Sequence, residues 1–437
     1  MRLPSGPTES DPADPSPVLP TPPRPRATPP APAEDWRRLL VLYWVTAFVE
    51  GLGMNQVFAF LPLRLEGMAM APGEIPHFVG LFSALIFVFG LPVVPLWGVW
   101  ADKYSRKAVI IRSSLIEAVV FAAVGLSQAP WQLALSLLLV GFQLGNTGVM
   151  LAALRDATPL PRVGTAIAVF GAASPIGFAL GPALGGLLTD GLHAPLAAVF
   201  LLSSALSLAV AALVGLGSRE VRPEVVPEGR VLELAYGAVR GVFTDPRVRW
   251  VFVIFGTAYL ARQMSNPYVP ILALHVPADG VGQATAIAIV TGVAALAGAA
   301  VSPLAGGLGD RIGFRPVLTG ALLFGGAALA TMALVPSLVA LALAATAYAA
   351  FAAAIQAMVF GLLATEVPAE RRSATLNLVL LPLYLAGIVG PLIGAIVVSF
   401  GEVAVFGLAG LVLWLGAAAV LRSPAQAGTR SAEAAGG

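Results

Sequence analysis

Charged residues are scarce in this chain. They make up 11% of its 437 residues, whereas hydrophobic residues make up 58% and the mean hydropathy is +0.87. A water-soluble domain ordinarily carries about a quarter charged residues. So much apolar surface cannot be hidden from water, and we expect a lipid bilayer to surround most of the chain. The formal net charge of +2 is too small to indicate a nucleic-acid partner, and none is expected.

Several chemical groups that enzymes use are also missing. Cysteine is absent, which excludes disulfides, thiolate metal sites and a cysteine nucleophile. The three histidines, His77, His193 and His275, lie far apart in sequence, and no aspartate pair has metal-binding spacing. No P-loop is present, so ATP is not the energy source, and the glycines near Gly306 lack the flanking strand of a dinucleotide fold. A membrane-embedded enzyme is the main rival class, but we predict no enzyme activity, metal or cofactor.

Apolar stretches long enough to cross a bilayer dominate the rest of the chain. About 20 residues suffice for one crossing, and because these stretches are apolar all round they predict helices rather than barrel strands. The stretches lie near 39–63, 77–101, 107–127, 130–154, 163–190, 194–216, 248–274, 281–307, 314–335, 337–365, 372–400 and 402–422. The prediction is an all-α membrane protein with two six-helix bundles, 36–217 and 248–422.

The segments outside these bundles are polar or rich in proline. Residues 1–35 hold 12 of the 36 prolines and no apolar core segment, which predicts a disordered cytoplasmic tail. Residues 423–437 are expected to form a second disordered tail. Between the bundles, 218–247 is a linker whose apolar residues recur at helical spacing, which predicts an amphipathic helix on the inner membrane surface.

Basic residues predict the orientation of the helices. If the N-terminus is cytoplasmic, Arg64 is the one lysine or arginine in the predicted outer connections, whereas the inner connections and the linker are rich in both residues. By the positive-inside rule both termini then lie in the cytoplasm, and we expect a multi-pass protein of the inner cell membrane.

The second half of the sequence repeats motifs of the first half. A shift of 208 residues places Pro95–Lys103 on Pro303–Arg311, and both segments read P-L-x-G-x-x-x-D-[K/R]. A shift of 209 places G-P-x-x-G at Gly181 on the same motif at Gly390, and a shift of 210 places Asp156 on Glu366. Several matches in order at nearly one offset indicate a gene duplication, and parallel six-helix repeats around a midplane site are a known transporter plan.

The motif after the second span resembles the signature G-x-x-x-D-[R/K]-x-G-R-[R/K] of the major facilitator superfamily. The first copy departs by having Ser105 in place of glycine, and the second has Phe314 in place of arginine. In the family this cluster is similar to a latch that closes the cytoplasmic side, so the resemblance implies a cytoplasmic gate. The alternative is that these charges only set the topology. The implied gate residues are Gly98, Asp102, Lys103, Arg106, Lys107, Asp156, Arg162, Gly306, Asp310, Arg311, Arg315, Glu366 and Arg372.

A glycine-rich motif in the fifth span bears on the direction of transport. It resembles the g-x-x-x-G-P-x-x-G-G motif that the family's proton-exchanging exporters carry, although simple helix packing is the alternative. The motif comprises Gly177, Gly181, Pro182, Gly185 and Gly186. Many drug exporters also carry an embedded arginine in the fourth helix, which is absent from this sequence between Leu139 and Gly145.

Charged residues within the spans are the strongest candidates for function, because each costs at least about 2.5–3.5 kcal/mol at mid-span. Glu50 and Arg262 lie about equally deep in spans 1 and 7, which line the cavity in the family. We expect Glu50 to bind a coupling proton and Arg262 to pair with it or to bind an anionic substrate; a structural ion pair is the alternative. Arg112 is expected to reach the lipid headgroups and Glu117 to make a structural contact. The uncharged cavity candidates are Asn55, Gln143, Asn146, Tyr259, Gln263 and Gln356.

The sequence therefore favours a secondary transporter that works by alternating access on a small molecule. Proton-coupled export of drug-like or amphipathic molecules is the first interpretation, and transport of a specific metabolite such as a sugar or an organic anion is the alternative. A sensor that has lost transport would have lost the cavity charges, and Glu50 and Arg262 argue against it. The resemblance implies a monomer.

Overall fold

The computed structural model describes residues 35–68, 70–223, 226, 228–236, 246–278, 280–366 and 381–422. For 246–251, 363–366 and 381 the description covers the backbone. Residues 1–34 and 423–437 of the predicted tails, residues 237–245 of the predicted linker, the Glu366 side chain and Arg372 lie outside the described part of the chain. All regular secondary structure within the described ranges is helical.

The described residues form twelve long helical segments, which we number α1 to α12. Between α6 and α7, residues 231–236 form a further short helix. The segments are α1 Trp36–Glu66, α2 Ile75–Lys103, α3 Arg106–Leu126, α4 Pro130–Ala157, α5 Leu160–Gly191, α6 Leu196–Gly217, α7 Pro246–Ser265 with its continuation through Val269–His275, α8 Gln283–Ile312, α9 Phe314–Met332, α10 Leu338–Glu366, α11 Leu381–Val397 and α12 Glu402–Arg422.

Ten of these segments are long and apolar enough to cross a membrane by composition alone. The other two, α1 and α7, are long enough but more polar, because they contain Glu50 and Arg262 together with neighbouring amide side chains. With 31 residues, α1 extends about 46 Å at 1.5 Å per residue. The predicted all-α membrane fold of twelve helices is confirmed, and its two most polar helices are the ones that the internal repeat relates.

Glycine determines how closely α5 packs against α1. A Cβ atom on Gly177 would lie 2.2 Å from the Phe48 carbonyl oxygen, and one on Gly181 would lie 2.3 Å from that of Leu52. In the second half, a Cβ atom on Gly390 would lie 2.9 Å from the Met264 nitrogen, so α11 packs against α7 in the same way. The repeat seen in the sequence is therefore also a repeat of helix contacts, with small residues at each interface.

The two halves meet near one side of the helix array. We call the side with residues 103–106, 155–162 and 311–315 the basic side, and the opposite side the far side. On the far side, the Asp190 carboxylate at the end of α5 accepts a hydrogen bond from the Thr285 backbone N–H at the start of α8, at 2.7 Å. Also there, His77 Nδ1 of α2 lies 2.7 Å from the Ala395 carbonyl oxygen of α11.

On the basic side, the signature glycines have open space around them. Among the described residues, no atom lies within 4 Å of the position that a Cβ atom would take at Gly98 or at Gly306. No described helix makes the close approach that these glycines permit. Contacts between the described parts of the two halves are present on the far side.

The segment after α6 packs against the basic ends of α2 and α3. The Glu220 carboxylate accepts hydrogen bonds from the Arg106 backbone N–H at 2.8 Å and from the Ser105 hydroxyl. Lys103 Nζ donates to the Gly229 carbonyl, and Tyr236 Oη donates to the Pro92 carbonyl at 2.5 Å. The described part of the linker thus contacts the signature region of the first half.

Candidate functional site

Glu50 lies in the interior of the first bundle. It is 14 residues beyond Trp36, the first residue of α1, which places it about 21 Å along the helix axis. Its Oε2 atom accepts a hydrogen bond from Asn146 Nδ2 of α4 at 3.1 Å. Two residues that the sequence proposed separately as cavity candidates are therefore partners in the structure.

The Asn146 side chain is placed by a break in α4. The helix runs from Pro130 to Leu139, tightens to a 3₁₀ turn, and resumes at Asn146 after Gly145, whose φ of +99° is left-handed. Glycine adopts this conformation without the steric cost that a Cβ atom brings. Backbone that leaves helical geometry at membrane depth requires partners within the protein, and α3 provides them here.

Glu117 of α3 is the second carboxyl in this region; it is buried, with 2% of its surface exposed, whereas Glu50 is half-buried. Gln143 Nε2 donates to its Oε1 at 3.2 Å, and the Ser207 hydroxyl of α6 donates to its Oε2 at 3.4 Å. The expected polar contact of Glu117 is present. Because Gln143 and Asn146 lie on either side of Gly145, the break in α4 connects Glu117 to Glu50.

Arg112 of α3 also turns toward the break. Its Nη2 atom donates to the carbonyl oxygens of Gln143 and Leu144, at 3.4 and 3.3 Å, and its guanidinium carbon lies 3.7 Å from the ring centre of Trp97 in α2. A guanidinium over an indole face is a favourable cation–π contact. The prediction that Arg112 reaches the headgroups is wrong, because the freed carbonyls and the ring offer it partners inside the bundle.

In the second half, Arg262 lines a pocket between α7, α10 and α12. Tyr259, Tyr348 and Gln356 share this pocket, which Phe255 and other apolar residues complete. The structure therefore brings together three of the predicted cavity residues, namely Arg262, Tyr259 and Gln356.

Glu50 and Arg262 are not an ion pair in this conformation. Glu50 bonds Asn146 of its own half, and Arg262 faces the tyrosines of the other half. Tyr384 of α11 is close enough to both Glu50 and Tyr259 for electrostatic interaction. The predicted pairing of Glu50 with Arg262 therefore stays a prediction for another conformation.

Two further amide candidates lie against neighbouring helices. Asn55 Nδ2 donates to the Phe178 carbonyl of α5 at 2.5 Å, and Gln263 lies against Gly390 of α11. Repeat-related positions in α1 and α7 thus contact the glycine-rich helix of their own half. These contacts favour a packing role for both residues.

The first copy of the signature forms an ion-pair cluster within its own half. Arg106 is 3% exposed, and its guanidinium donates to Asp102 at 2.8 Å and to Asp156 at 2.7 Å. These contacts join α2, α3 and α4. Asp156 also lies 3.5 Å from Arg155, whereas Arg162 is exposed.

The remaining signature residues lie outside this ion-pair cluster. Lys107 Nζ donates to the Gly215 and Ser218 carbonyls at the end of α6, both at 2.7 Å, where a cation suits the helix dipole. In the second copy, Asp310 and Arg311 are exposed and Arg315 is half-buried. The bonds that the first copy makes to described residues lie within its own half or reach the linker, and the gate stays a prediction for the closed form.

The sequence predicted a headgroup contact for Arg112 and a structural contact for Glu117, and it did not single out Tyr384. Arg112 and Glu117 were visible as charges inside a span, which is an expensive placement. Their connection to Glu50 depends on the break in α4, and the three glycines of this apolar stretch do not reveal in the sequence where it breaks. Tyr384 is an ordinary aromatic residue in the sequence, and only helix packing brings it near Glu50.

Two six-helix halves with buried polar groups at mid-depth define a multi-pass membrane transporter. The family model of the Major Facilitator Superfamily matches residues 43–276 and 251–436, and the chain belongs to this family. It is a secondary transporter and not an enzyme, it acts on a small molecule, and proteins of this family typically need no cofactor. Within the described residues, no cluster of three His, Asp or Glu side chains is placed to hold a metal ion.

The chain is similar to proteins named multidrug resistance protein MdtG. It is 31% identical over 299 residues to the protein from Escherichia fergusonii, covering 67% of this chain and 71% of that one. It is 30% identical over 294 residues to the Citrobacter koseri protein, covering 66% and 70%.

Solved structures share the fold at lower identity. A bacterial homolog of the human lysosomal transporter Spinster, inward-facing and unoccupied, matches with a TM-score of 0.69 and 16% identity, covering 90% of this chain and 99% of that one. The human organic anion transporter MFSD10 (TETRAN) matches with a TM-score of 0.64 and 18% identity, covering 88% and 99%. At these identities the likeness shows the fold alone.

Proposed function

We propose that this protein exports drug-like, amphipathic small molecules across the cell membrane in exchange for protons. Export proceeds by alternating access in a monomer whose basic side faces the cytoplasm. The observation that carries the proposal is the Glu50 carboxyl in the interior of the first bundle, held by the neutral Asn146 amide. The similarity to proteins named for multidrug resistance supports drug-like substrates.

Glu50 supports proton coupling because its charge depends on its proton. Away from water, a carboxyl without a countercharge is costly when ionised. A cation that binds near Glu50 stabilises the carboxylate and favours release of the proton, and a returning proton favours release of the cation. Because the cation and the proton compete for Glu50, binding of one favours release of the other, and the two are exchanged.

The signature region supports the proposed gate. Arg106 joins the basic ends of α2, α3 and α4 into one unit through Asp102 and Asp156. No described atom occupies the space beside Gly98 and Gly306, one in each half, that a close approach of the halves needs. In the closed form the two signature regions then meet on the basic side.

The proposal is tested by efflux of ethidium, a fluorescent lipophilic cation, from cells that overexpress the protein. Wild type is expected to remove ethidium faster than the empty vector, and a protonophore to abolish the difference. Glu50→Gln is expected to reduce efflux at least about tenfold, because the amide cannot exchange a proton. Glu74→Gln, which changes an exposed acid on the far side, is the matched control. Wild-type efflux with unchanged pH dependence in Glu50→Gln contradicts the proton role.

Transport of an organic anion is the second candidate function. Arg262 supports it, because its side chain is exposed to a pocket that also offers Tyr259, Tyr348 and Gln356. A guanidinium with tyrosine and amide neighbours suits a carboxylate or sulfonate. The test measures uptake or efflux of fluorescein in place of ethidium. Transport of fluorescein that is lost in Arg262→Gln and kept in Arg155→Gln would favour this candidate.

A further inference from the structure

The buried charges around the break in α4 are unequal in number. Arg112, Glu50 and Glu117 all bond residues between 143 and 146, so one cation and two carboxyls meet at the same break. An arginine in a protein remains charged, whereas a carboxyl can become neutral by binding a proton. The region is electrically neutral when one of the two carboxyls is ionised and the other is protonated.

The partners of the two carboxyls do not favour one of them strongly. Glu117 accepts hydrogen bonds from the Gln143 amide and the Ser207 hydroxyl, and Glu50 accepts one from the Asn146 amide. These donors are neutral, and neither carboxyl forms an ion pair within the described part of the chain. Glu50 is close enough to Glu117 for the two charges to interact.

Arg112 is bound in a way that leaves its charge uncompensated. It bonds the Gln143 and Leu144 carbonyls and lies over the Trp97 ring. Its Nε and Nη1 atoms are buried and meet no acceptor among the described residues. Carbonyl dipoles and a ring face stabilise a guanidinium but do not neutralise it, so the region retains a positive charge that favours one carboxylate nearby.

The other helices that pack on α3 present no further charge to Glu117. α1 presents Glu50, α2 presents Trp97, α4 presents Gln143 and Asn146, and α6 presents Ser207. All other charged residues of α1, α2, α3, α4 and α6 lie in the first or last turn of their helix. The charge balance at mid-depth therefore rests on three residues.

We propose that Glu117 is a second proton-binding carboxyl of the transport site and shares a single proton with Glu50 across the break in α4, with Arg112 as the fixed positive charge. The inference rests on the proposed function, in which Glu50 exchanges the coupling proton. When a cationic substrate binds beside Glu50, that carboxyl ionises and its proton passes to the Glu117 carboxylate or to solvent. Interacting carboxyls of this kind titrate as a pair.

Infrared spectroscopy of the purified, reconstituted protein tests the shared proton without any substrate. The carbonyl stretch of protonated carboxyl groups is followed in wild type, Glu50→Gln, Glu117→Gln and the matched control Glu74→Gln. The wild-type protein and the control are expected to show the band of one buried protonated carboxyl. Either single variant is expected to lose it, because the remaining carboxyl then ionises opposite Arg112. Arg112→Met removes the positive charge and is expected to roughly double the intensity of the band, whereas Arg112→Lys retains the charge and is expected to keep the band unchanged.

Several outcomes would overturn the proposal. A band that survives in Glu50→Gln means that Glu117 holds its own proton, and a band that survives in Glu117→Gln means that Glu50 does. Absence of the band from wild type would also overturn it. Size-exclusion profiles and melting temperatures identify any variant that misfolds, and Glu117→Asp, which keeps the carboxyl, is then measured in place of Glu117→Gln against wild type.

The pH dependence of ethidium efflux provides the second measurement. Without the negative charge of Glu117, Glu50 holds its proton less well, and the pH optimum of Glu117→Gln is expected to move to lower pH by about one unit. Glu117→Asp is expected to restore the pH optimum of the wild type. A residue that only packs would lower the rate without moving the optimum, and that result would contradict the proposal. If wild type transports no ethidium, the proposed function fails, while the infrared result still decides whether the proton is shared.

Discussion

Single glycine residues determine the distance between α1 and α5. At Gly177 and Gly181 the α1 backbone occupies the space that a side chain would need. The sequence predicted a flat glycine face on the fifth span from its four-residue spacing. The structure identifies α1 as the helix against which this face packs, and α1 is also the helix that carries Glu50.

Replacing Gly181 with alanine is expected to destabilise the protein. The new Cβ atom would lie 2.3 Å from the Leu52 carbonyl oxygen, and overpacking of this kind costs about 1–3 kcal/mol. The melting temperature in detergent should fall clearly below that of wild type. Gly320→Ala in α9 is the matched control, because no atom of the described residues lies within 4 Å of its Cβ position. Equal melting temperatures for the two variants would contradict the close packing.

The contacts of Arg112 could not be predicted from the sequence of α3 alone. Its position near the basic end of α3 made contact with the headgroups the simplest prediction. The two carbonyls that it binds belong to α4, and the ring that it covers belongs to α2. A partner that lies in another helix cannot be read from the spacing of residues within one helix.

Among the helices, α4 combines an ordinary apolar sequence with an interrupted backbone. Two side chains bind the carbonyls that the interruption frees: Arg112 and the Ser113 hydroxyl both donate to the Gln143 carbonyl, and Arg112 also donates to that of Leu144. These bonds satisfy acceptors that lipid could not satisfy. The break in turn directs Gln143 to Glu117 and Asn146 to Glu50.

Gly145→Ala tests whether the break depends on the left-handed glycine. An alanine at a φ of +99° is strained by about 1–2 kcal/mol. We expect a lower melting temperature and a slower efflux of ethidium, because the amides on both sides of the break shift away from the two carboxyls. Gly148→Ala, three residues further along α4 and in open space, should behave like wild type. If both variants behave alike, the break does not require Gly145.

On the scale of the whole molecule, contacts on the far side hold the two halves together. Asp190 of the first half binds the backbone at the start of α8 in the second half, and His77 contacts Ala395. A carboxylate at a helix N-terminus satisfies a free N–H and suits the helix dipole. These contacts stabilise the conformation in which the signature glycines on the basic side remain uncovered.

Asp190→Ala is expected to favour the conformation that closes on the basic side. Loss of a helix cap costs about 0.5–2 kcal/mol, which changes the ratio of two conformations about 2- to 30-fold. The chain contains no cysteine, so spin labels at Arg155→Cys and Ile312→Cys report the distance between the halves on the basic side. Pulsed electron paramagnetic resonance should show more short distances in Asp190→Ala than in Glu74→Ala. Identical distance distributions would show that Asp190 does not hold the far side together.

The sequence by itself determined the solvent, the number of helices, the internal repeat and the family, because apolar length and motif spacing are local properties of the chain. It also identified Glu50 and Arg262, since a charge inside a span is conspicuous wherever the helix packs. Only the tertiary structure decided that Glu50 bonds Asn146, that Arg112 and Glu117 join it at the break in α4, and that the halves meet on the far side. Each of these contacts joins residues far apart in the chain, so it exists only once separate helices have packed together.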